Sequence, residues 1–219
     1  YSKFLKPRYA MILNITNDHL DWHGSMNNYI KSKFKIFENQ TKNDFAILKE
    51  NKLKIIFKKF GFQSNLNFIS NDIFKKNSIK NNYLNQKMNL NNLDFAYTVL
   101  RKFKIKRKNF IKATSSFKGL PHRYELFFKF KNMEFINDSK ATSFESTKYA
   151  LMNSNNIIWI LGGQPKINDK IKIKAFKKKI IKTYIIGNHA KFFSKQIKKD
   201  INFLIKNQLK EVVEDILKK

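Results

Sequence analysis

The apolar and polar positions of this chain fall into blocks that switch between two periods, and the switches mark the elements. Ala10 to Ile15 is a short, nearly continuous apolar run and reads as a buried strand. It gives way to polar Thr16-Asn17-Asp18-His19, and Gly24-Ser25 marks a turn. From 26 to 39, Met26, Tyr29, Ile30, Phe34 and Phe37 recur at threes and fours, which predicts a helix. Phe45 to Leu48 predicts a second strand. Residues 51–85 are rich in Asn and Lys and show only short β-like pieces, to which the pattern assigns no order. Leu90 to Phe103 carries an apolar helical stripe, and Lys108 to Thr114 a shorter one.

After Gly119-Leu120-Pro121 the rhythm changes. Strands are predicted at 124–130 and 133–137, joined by a tight turn at Lys131-Asn132. Next come a helix at 143–153, a strand at 157–161, a helix near 170–178 and a strand at 181–186. A helix at 189–196, a strand at 201–205 and a last helix at 207–218 complete the run. Alternating strands and helices imply an α/β fold with a mostly parallel sheet and helices on both faces. The change of rhythm puts a domain boundary at about 118, dividing the chain into 1–118 and 119–219.

Composition alters this picture little. Apolar residues make up 42% of the 219, enough for one large core or two small ones. No apolar run approaches the ~18 residues that span a bilayer. Cysteine is absent, so no disulfide and no thiolate ligand or nucleophile can be built. The formal charge of +29 invites a nucleic-acid function. Against it, the 45 basic residues include four Arg and 41 Lys, spread along the chain, and Asn is nearly as enriched at 27. Base readers favour the Arg fork. The bias is that of an A/T-rich coding sequence, and specific nucleic-acid binding is not expected.

Two stretches concentrate chemistry. FINDSKATSFEST, 135–147, puts an amide, a carboxylate, an ammonium and two hydroxyls directly after a strand. GLPHRYE, 119–125, bends the chain and places His122 and Arg123 just before one. Each has a bland explanation. The first could be a surface turn in which Thr142 and Glu145 make a capping box, the second a hinge with a solvated Arg. The alternative is a site at the carboxyl end of a sheet strand, where α/β folds bind ligands.

Taken together, GLPHR followed by NDSKAT, with fifteen residues from Arg123 to Asp138, ILNITNDHLDWHGSMNNYIKSK at 12–33 and ILGGQPK at 160–166 resemble the Mur ligase family. NDSKAT points to its D-glutamate-adding branch. The resemblance covers nearly the whole chain, loosely between 50 and 85. It implies the rear part of a P-loop-type ATPase domain in 1–118 and a Rossmann-like α/β domain in 119–219. It also implies the activity of a cytoplasmic, monomeric enzyme of peptidoglycan synthesis. In that reaction ATP phosphorylates the carboxylate of UDP-MurNAc-L-alanine, and the amine of D-glutamate displaces phosphate from the acyl phosphate. ATP and Mg2+ are the implied cofactors. His19 and a carbamylated Lys33 become metal ligands; as a protonated amine, Lys33 could not be one. Asn89 and Asn92 face adenine, although the family's Gly-x-His-Asn reads Gln86-Lys87-Met88-Asn89 here. Arg123 and Asp138 fall to the nucleotide, Arg123 as a catalytic cation. Lys140, Thr142 and Lys166 fall to D-glutamate.

None of the six glycines precedes a Lys, so the sequence holds no Gly-Lys-Thr/Ser phosphate loop. The resemblance places that loop and a uridine-nucleotide domain upstream of Tyr1, and a last pocket segment beyond Lys219. This stretch alone is therefore expected to be inactive. Another Mur ligase, a folylpolyglutamate synthase-like ligase or a basic nucleic-acid-binding domain are the alternatives.

Overall fold

The computed structural model describes residues 4–16, 20–81, 83–166 and 170–218. They form two units, one ending at Lys118 and the other running Gly119–Lys219.

In the first unit, β1 (Tyr9–Met11) leads through a single helical turn, α1 (Leu20–His23), to α2 (Met26–Phe34). The Ser25 side chain caps α2 by accepting the Asn28 N–H. The helix then tightens into a 3₁₀ turn at Lys35–Phe37, shorter than the helix to 39 that the spacing predicts. β2 (Phe45–Leu48), α3 (Asn51–Phe60) and β3 (Asn65–Phe68) follow, and the strands lie parallel in the order β1-β2-β3. β1 is shorter than the Ala10–Ile15 run suggests because its partner runs out. Met11 pairs with Ile47, Ile12 adds one long bond to the Ile47 carbonyl, and β2 ends at Leu48.

Strand alternation sends Ala46 and Leu48 to one face, against Phe34, Phe37, Leu53 and Phe57. Ile47 goes to the other, against Phe95 of α4 (Lys87–Lys102). Helices thus cover both faces. α3 lies in the stretch to which the pattern assigns no order, although Leu53, Ile56, Phe57 and Phe60 have helical spacing. Glu50 offers it no side-chain cap, and Gly61, at φ +67°, closes it in the left-handed region. A separate cluster packs Phe74, Ile79 and Leu84 on Leu93 and Tyr97 of α4 and Phe110 of α5 (Arg107–Thr114).

The second unit opens with an antiparallel hairpin, β4 (Glu125–Phe130) and β5 (Met133–Asn137), turned by Lys131-Asn132. α6 (Phe144–Asn153), β6 (Ile157–Gly162), a 3₁₀ helix (Ile173–Lys179) and β7 (Ile180–Ile186) come next. α7 (Ala190–Ile197), β8 (Leu204–Lys206) and α8 (Leu209–Leu217) complete it. β6, β7 and β8 are parallel in that order, and the hairpin forms its own two-stranded sheet instead of joining them. Ile185 and Trp159 pack with Phe144, Ile173 and Phe193 on one face; Tyr184 packs with Val212 and Ile216 of α8 on the other.

Two expectations are corrected here. The helix predicted near 170–178 is a 3₁₀ helix, whose apolar contacts come from Ile173 and Phe176, three apart as a three-residue turn requires. The strand predicted at 201–205 begins at Leu204, because Ile201 still bonds back to the end of α7 and joins the core. At the end of β6, a Cβ on Gly162 would sit 2.7 Å from the Ile186 carbonyl oxygen. Only glycine lets β6 and β7 approach so closely.

Candidate functional site

The hairpin register brings the two chemical stretches together. Glu125 pairs with Asn137, so the residues before β4 face those after β5. The Tyr124 N–H donates to Asp138 Oδ1 at 2.9 Å, and the Lys140 N–H donates to the His122 carbonyl at 3.0 Å. Asn137 Nδ2 donates to His122 Nδ1 at 2.8 Å, which fits the tautomer protonated on Nε2. The His122 N–H donates in turn to Glu125 Oε2 at 2.7 Å.

These bonds hold His122 (φ +62°) and Tyr124 (φ +46°) in the left-handed region, uncommon for residues with side chains. Arg123, between them, is exposed. Asp138 is half-buried. Burial pushes its carboxyl above the usual range, and the Tyr124 N–H and the nearby Arg123 charge pull against that. The loop pair therefore presents an exposed cation beside a partly desolvated acceptor.

Thr142 does not cap α6. Ser143 does, with φ −144° and its Oγ accepting the Ser146 N–H. Glu145, the other half of the supposed capping box, instead accepts from Lys148 Nζ at 2.5 Å. The exposed Thr142 hydroxyl and the exposed Lys140 thus follow Asp138 on a loop outside the helix. Lys166 is half-buried on a different loop, after β6 and the φ +106° turn at Gly163.

In the first unit, Lys33 is exposed near the end of α2, its ammonium 5.3 Å from the centre of the Tyr29 ring. The His23 ring lies 5.1 Å from the same ring. Asp18 and His19 lie outside the described residues. Among those described, no three His, Asp or Glu side chains gather as a metal site. An unmodified Lys33 cation does not fit magnesium either, so the described residues do not make a magnesium site by themselves. On α4, Asn89 is buried and its amide donates to the Tyr83 carbonyl at 2.7 Å, while Asn92 is exposed.

One cluster went unread in the sequence. Lys49, the residue after β2, donates to Asp94 at 2.5 Å, Asp72 at 2.6 Å and Asn91 at 2.8 Å. The available signal was an acidic residue, Asp94, set among Leu90, Leu93, Phe95 and Tyr97 on an apolar stripe.

Comparison with known proteins identifies the frame that carries these residues. The profile of the Mur ligase middle domain matches residues 1–119, more than half of the chain. The chain belongs to the Mur ligase family.

Relatives named UDP-N-acetylmuramoylalanine--D-glutamate ligase include those of Natranaerobius thermophilus, 34% identical over 87% of this chain, and Aquifex aeolicus, 33% identical over 91%. The matches cover 46% and 50% of those proteins, so this Mur ligase chain spans about half the length of the curated relatives it matches. MurF from Acinetobacter baumannii superposes with a TM-score of 0.72 at 14% identity, over 97% of this chain and 53% of MurF. MurC from Thermotoga maritima gives 0.67 at 16%, over 95% and 53%. At such identities the structures speak for the Mur ligase fold alone. No helix among the described residues is long and apolar enough to cross a membrane.

Proposed function

We propose that this chain belongs to an ATP-dependent ligase that adds D-glutamate to UDP-N-acetylmuramoyl-L-alanine in peptidoglycan synthesis. A carboxylate oxygen of the nucleotide substrate takes the γ-phosphoryl group, releasing ADP. The D-glutamate amine then attacks the acyl phosphate, losing a proton as the amide forms and phosphate leaves. Residues 1–118 are the rear of the ATP-binding domain, consistent with the middle-domain match, and 119–219 form the Rossmann-like domain that follows.

The observation that carries this reading is the stitched loop pair, in which the His122 carbonyl and the Asp138 carboxylate hold Arg123 and Lys140 on adjoining turns. Arg123 supplies positive charge to the phosphates and Asp138 an acceptor for ribose hydroxyls. Lys140, Thr142 and Lys166 supply cations and a hydroxyl to the D-glutamate carboxylates. Asn92 offers an amide edge to adenine, and Asn89, one turn earlier on the same helix, is buried with its amide on the Tyr83 carbonyl. Magnesium, when bound, neutralises phosphate charge. His19 and a carbamylated Lys33 are its proposed ligands, since carbamylation turns the ammonium into an anionic oxygen donor.

The test uses the whole protein, with phosphate release measured from ATP and UDP-N-acetylmuramoyl-L-alanine against D-glutamate, L-glutamate and diamino acids. D-glutamate should be preferred. Lys33→Ala should lose most activity and regain part of it with added short carboxylic acids, which can occupy the carbamate's place. Full activity in Lys33→Ala, or preference for a diamino acid, overturns the assignment.

A further inference from the structure

The carboxyl end of a parallel strand is where α/β sheets bind ligands, and at the end of β2 that place holds a half-buried lysine whose protons are all bonded, to the buried Asp94, the exposed Asp72 and Asn91. The three protons of the Lys49 ammonium go to Asp94 Oδ2, Asp72 Oδ1 and Asn91 Oδ1. The side chain is 15% exposed and Asp94 is 0% exposed. The second Asp94 oxygen accepts the Phe74 N–H at 2.9 Å, and the Asp94 carbonyl accepts the Thr98 hydroxyl at 2.7 Å. Burial pulls the Lys49 pKa down, but hydrogen bonds to Asp72 and Asp94 outweigh it and leave it raised. The lysine stays charged, and none of its protons is spare for a phosphate.

A buried ion pair adds little net stability over an apolar pair of the same shape. What it adds best is a fixed register, because a slipped neighbour strands a charge. Here the register joins the end of β2, the segment at 72–74 and the first two turns of α4. Those turns carry the buried Asn89 and the exposed Asn92.

We propose that Lys49, Asn91 and Asp94 are positioning residues that fix the rotation and axial position of α4, so that Asn92 meets an adenine and not a guanine edge. This rests on the reading of α4 as the nucleobase side. An amide presents its donor and acceptor in a fixed order, and adenine's N6 donor and N7 acceptor match it where guanine's O6 does not. A helix free to shift by a fraction of a turn would lose that discrimination first.

The experiment compares the unaltered whole protein with Lys49→Arg and with Lys49→Met/Asp94→Asn. In the double variant both charges go, while the Asn oxygen still accepts the Phe74 N–H. Phosphate release with ATP and with GTP gives the ratio of kcat/KM, and hydrogen exchange over 88–94 is measured without nucleotide. The double variant should keep its unfolding midpoint, lose protection at 88–94 and lose about tenfold in ATP-over-GTP preference; Lys49→Arg should lose less. A merely structural role lowers both nucleotides in proportion. An unchanged ratio with folding intact, or unchanged protection, overturns the positioning role. Absence of ATP use by the unaltered protein, with protection still lost in the variant, overturns the nucleotide reading instead.

Discussion

Asp94 and Asp138 do opposite work with the same side chain. Asp94 is wholly buried, meets a lysine and a backbone N–H with its two oxygens, and ties three segments together. Asp138 is half-buried, accepts one backbone N–H and leaves the rest of its capacity toward an exposed arginine. The first is a closed network and the second an open one. Closure suits a group that must hold a scaffold in one register. Openness suits a group that must exchange partners with a ligand, at the cost of a carboxylate that sits less comfortably when charged.

The largest effect that tests this contrast comes from opening the closed network. Lys49→Met leaves Asp94 buried without its cation and should cost about 3–5 kcal/mol, read as a shift of the denaturant midpoint at unchanged slope. Asp138→Asn keeps an acceptor for the Tyr124 N–H and should stay within about 1 kcal/mol. If both changes cost the same, the distinction between closed and open networks is wrong.

How far each network could be read from sequence follows from how its parts are spaced. The hairpin was legible because a two-residue turn joins its strands, but the pairing of Glu125 with Asn137 was not, since a bulge between Leu126 and Phe128 shifts the register by one residue. Lys49 and Asp94 stand 45 residues apart across the stretch that defied ordering, so no local pattern joins them. The α4 stripe was legible, but an apolar stripe does not say which partner a charge inside it meets. Ends of elements were the least legible. β1 stops where its partner stops, and α6 begins one residue later than a capping box at Thr142 would have it, because Ser143 is also a hydroxyl residue. The His19 and Lys33 pairing rests on resemblance, since His19 lies outside the described residues.

pH sharpens the contrast, because Asp72 of the closed network and Asp138 of the open one shift in opposite directions. The hydrogen bond from Lys49 holds the Asp72 carboxyl below its ordinary 3.8. Its contribution is therefore present above pH 3.8 and is lost as pH falls through the lower folded value. Burial raises the Asp138 carboxyl above 3.8, so the folded state prefers the proton. There stability is given up as pH rises from 3.8 through the raised value. Unfolding midpoints across pH 2–7 should show Asp72→Asn flattening the acid side below 3.8 and Asp138→Asn flattening the decline above it. The same limb changing in both variants would contradict the assigned causes.

The smallest effect separates two neighbours on the open loop. Ser143 is part of the scaffold, since its Oγ accepts the Ser146 N–H and its carbonyl accepts the Thr147 hydroxyl at 3.1 Å. Thr142 is exposed and stands outside the cap. Ser143→Ala should therefore cost about 0.5–2 kcal/mol, the usual range for a lost N-cap. Thr142→Ala should fall within about 0.5 kcal/mol, as surface changes do. In the whole protein the order should reverse for ligand binding, with Thr142→Ala raising the KM for D-glutamate more than that for ATP. A loss of stability in Thr142→Ala equal to that in Ser143→Ala would return Thr142 to the helix cap and take it out of the proposed site. The pair is informative because the two side chains are adjacent, similar in size and alike in chemistry. Only the one-residue offset of the helix start makes one of them the cap and leaves the other outside it.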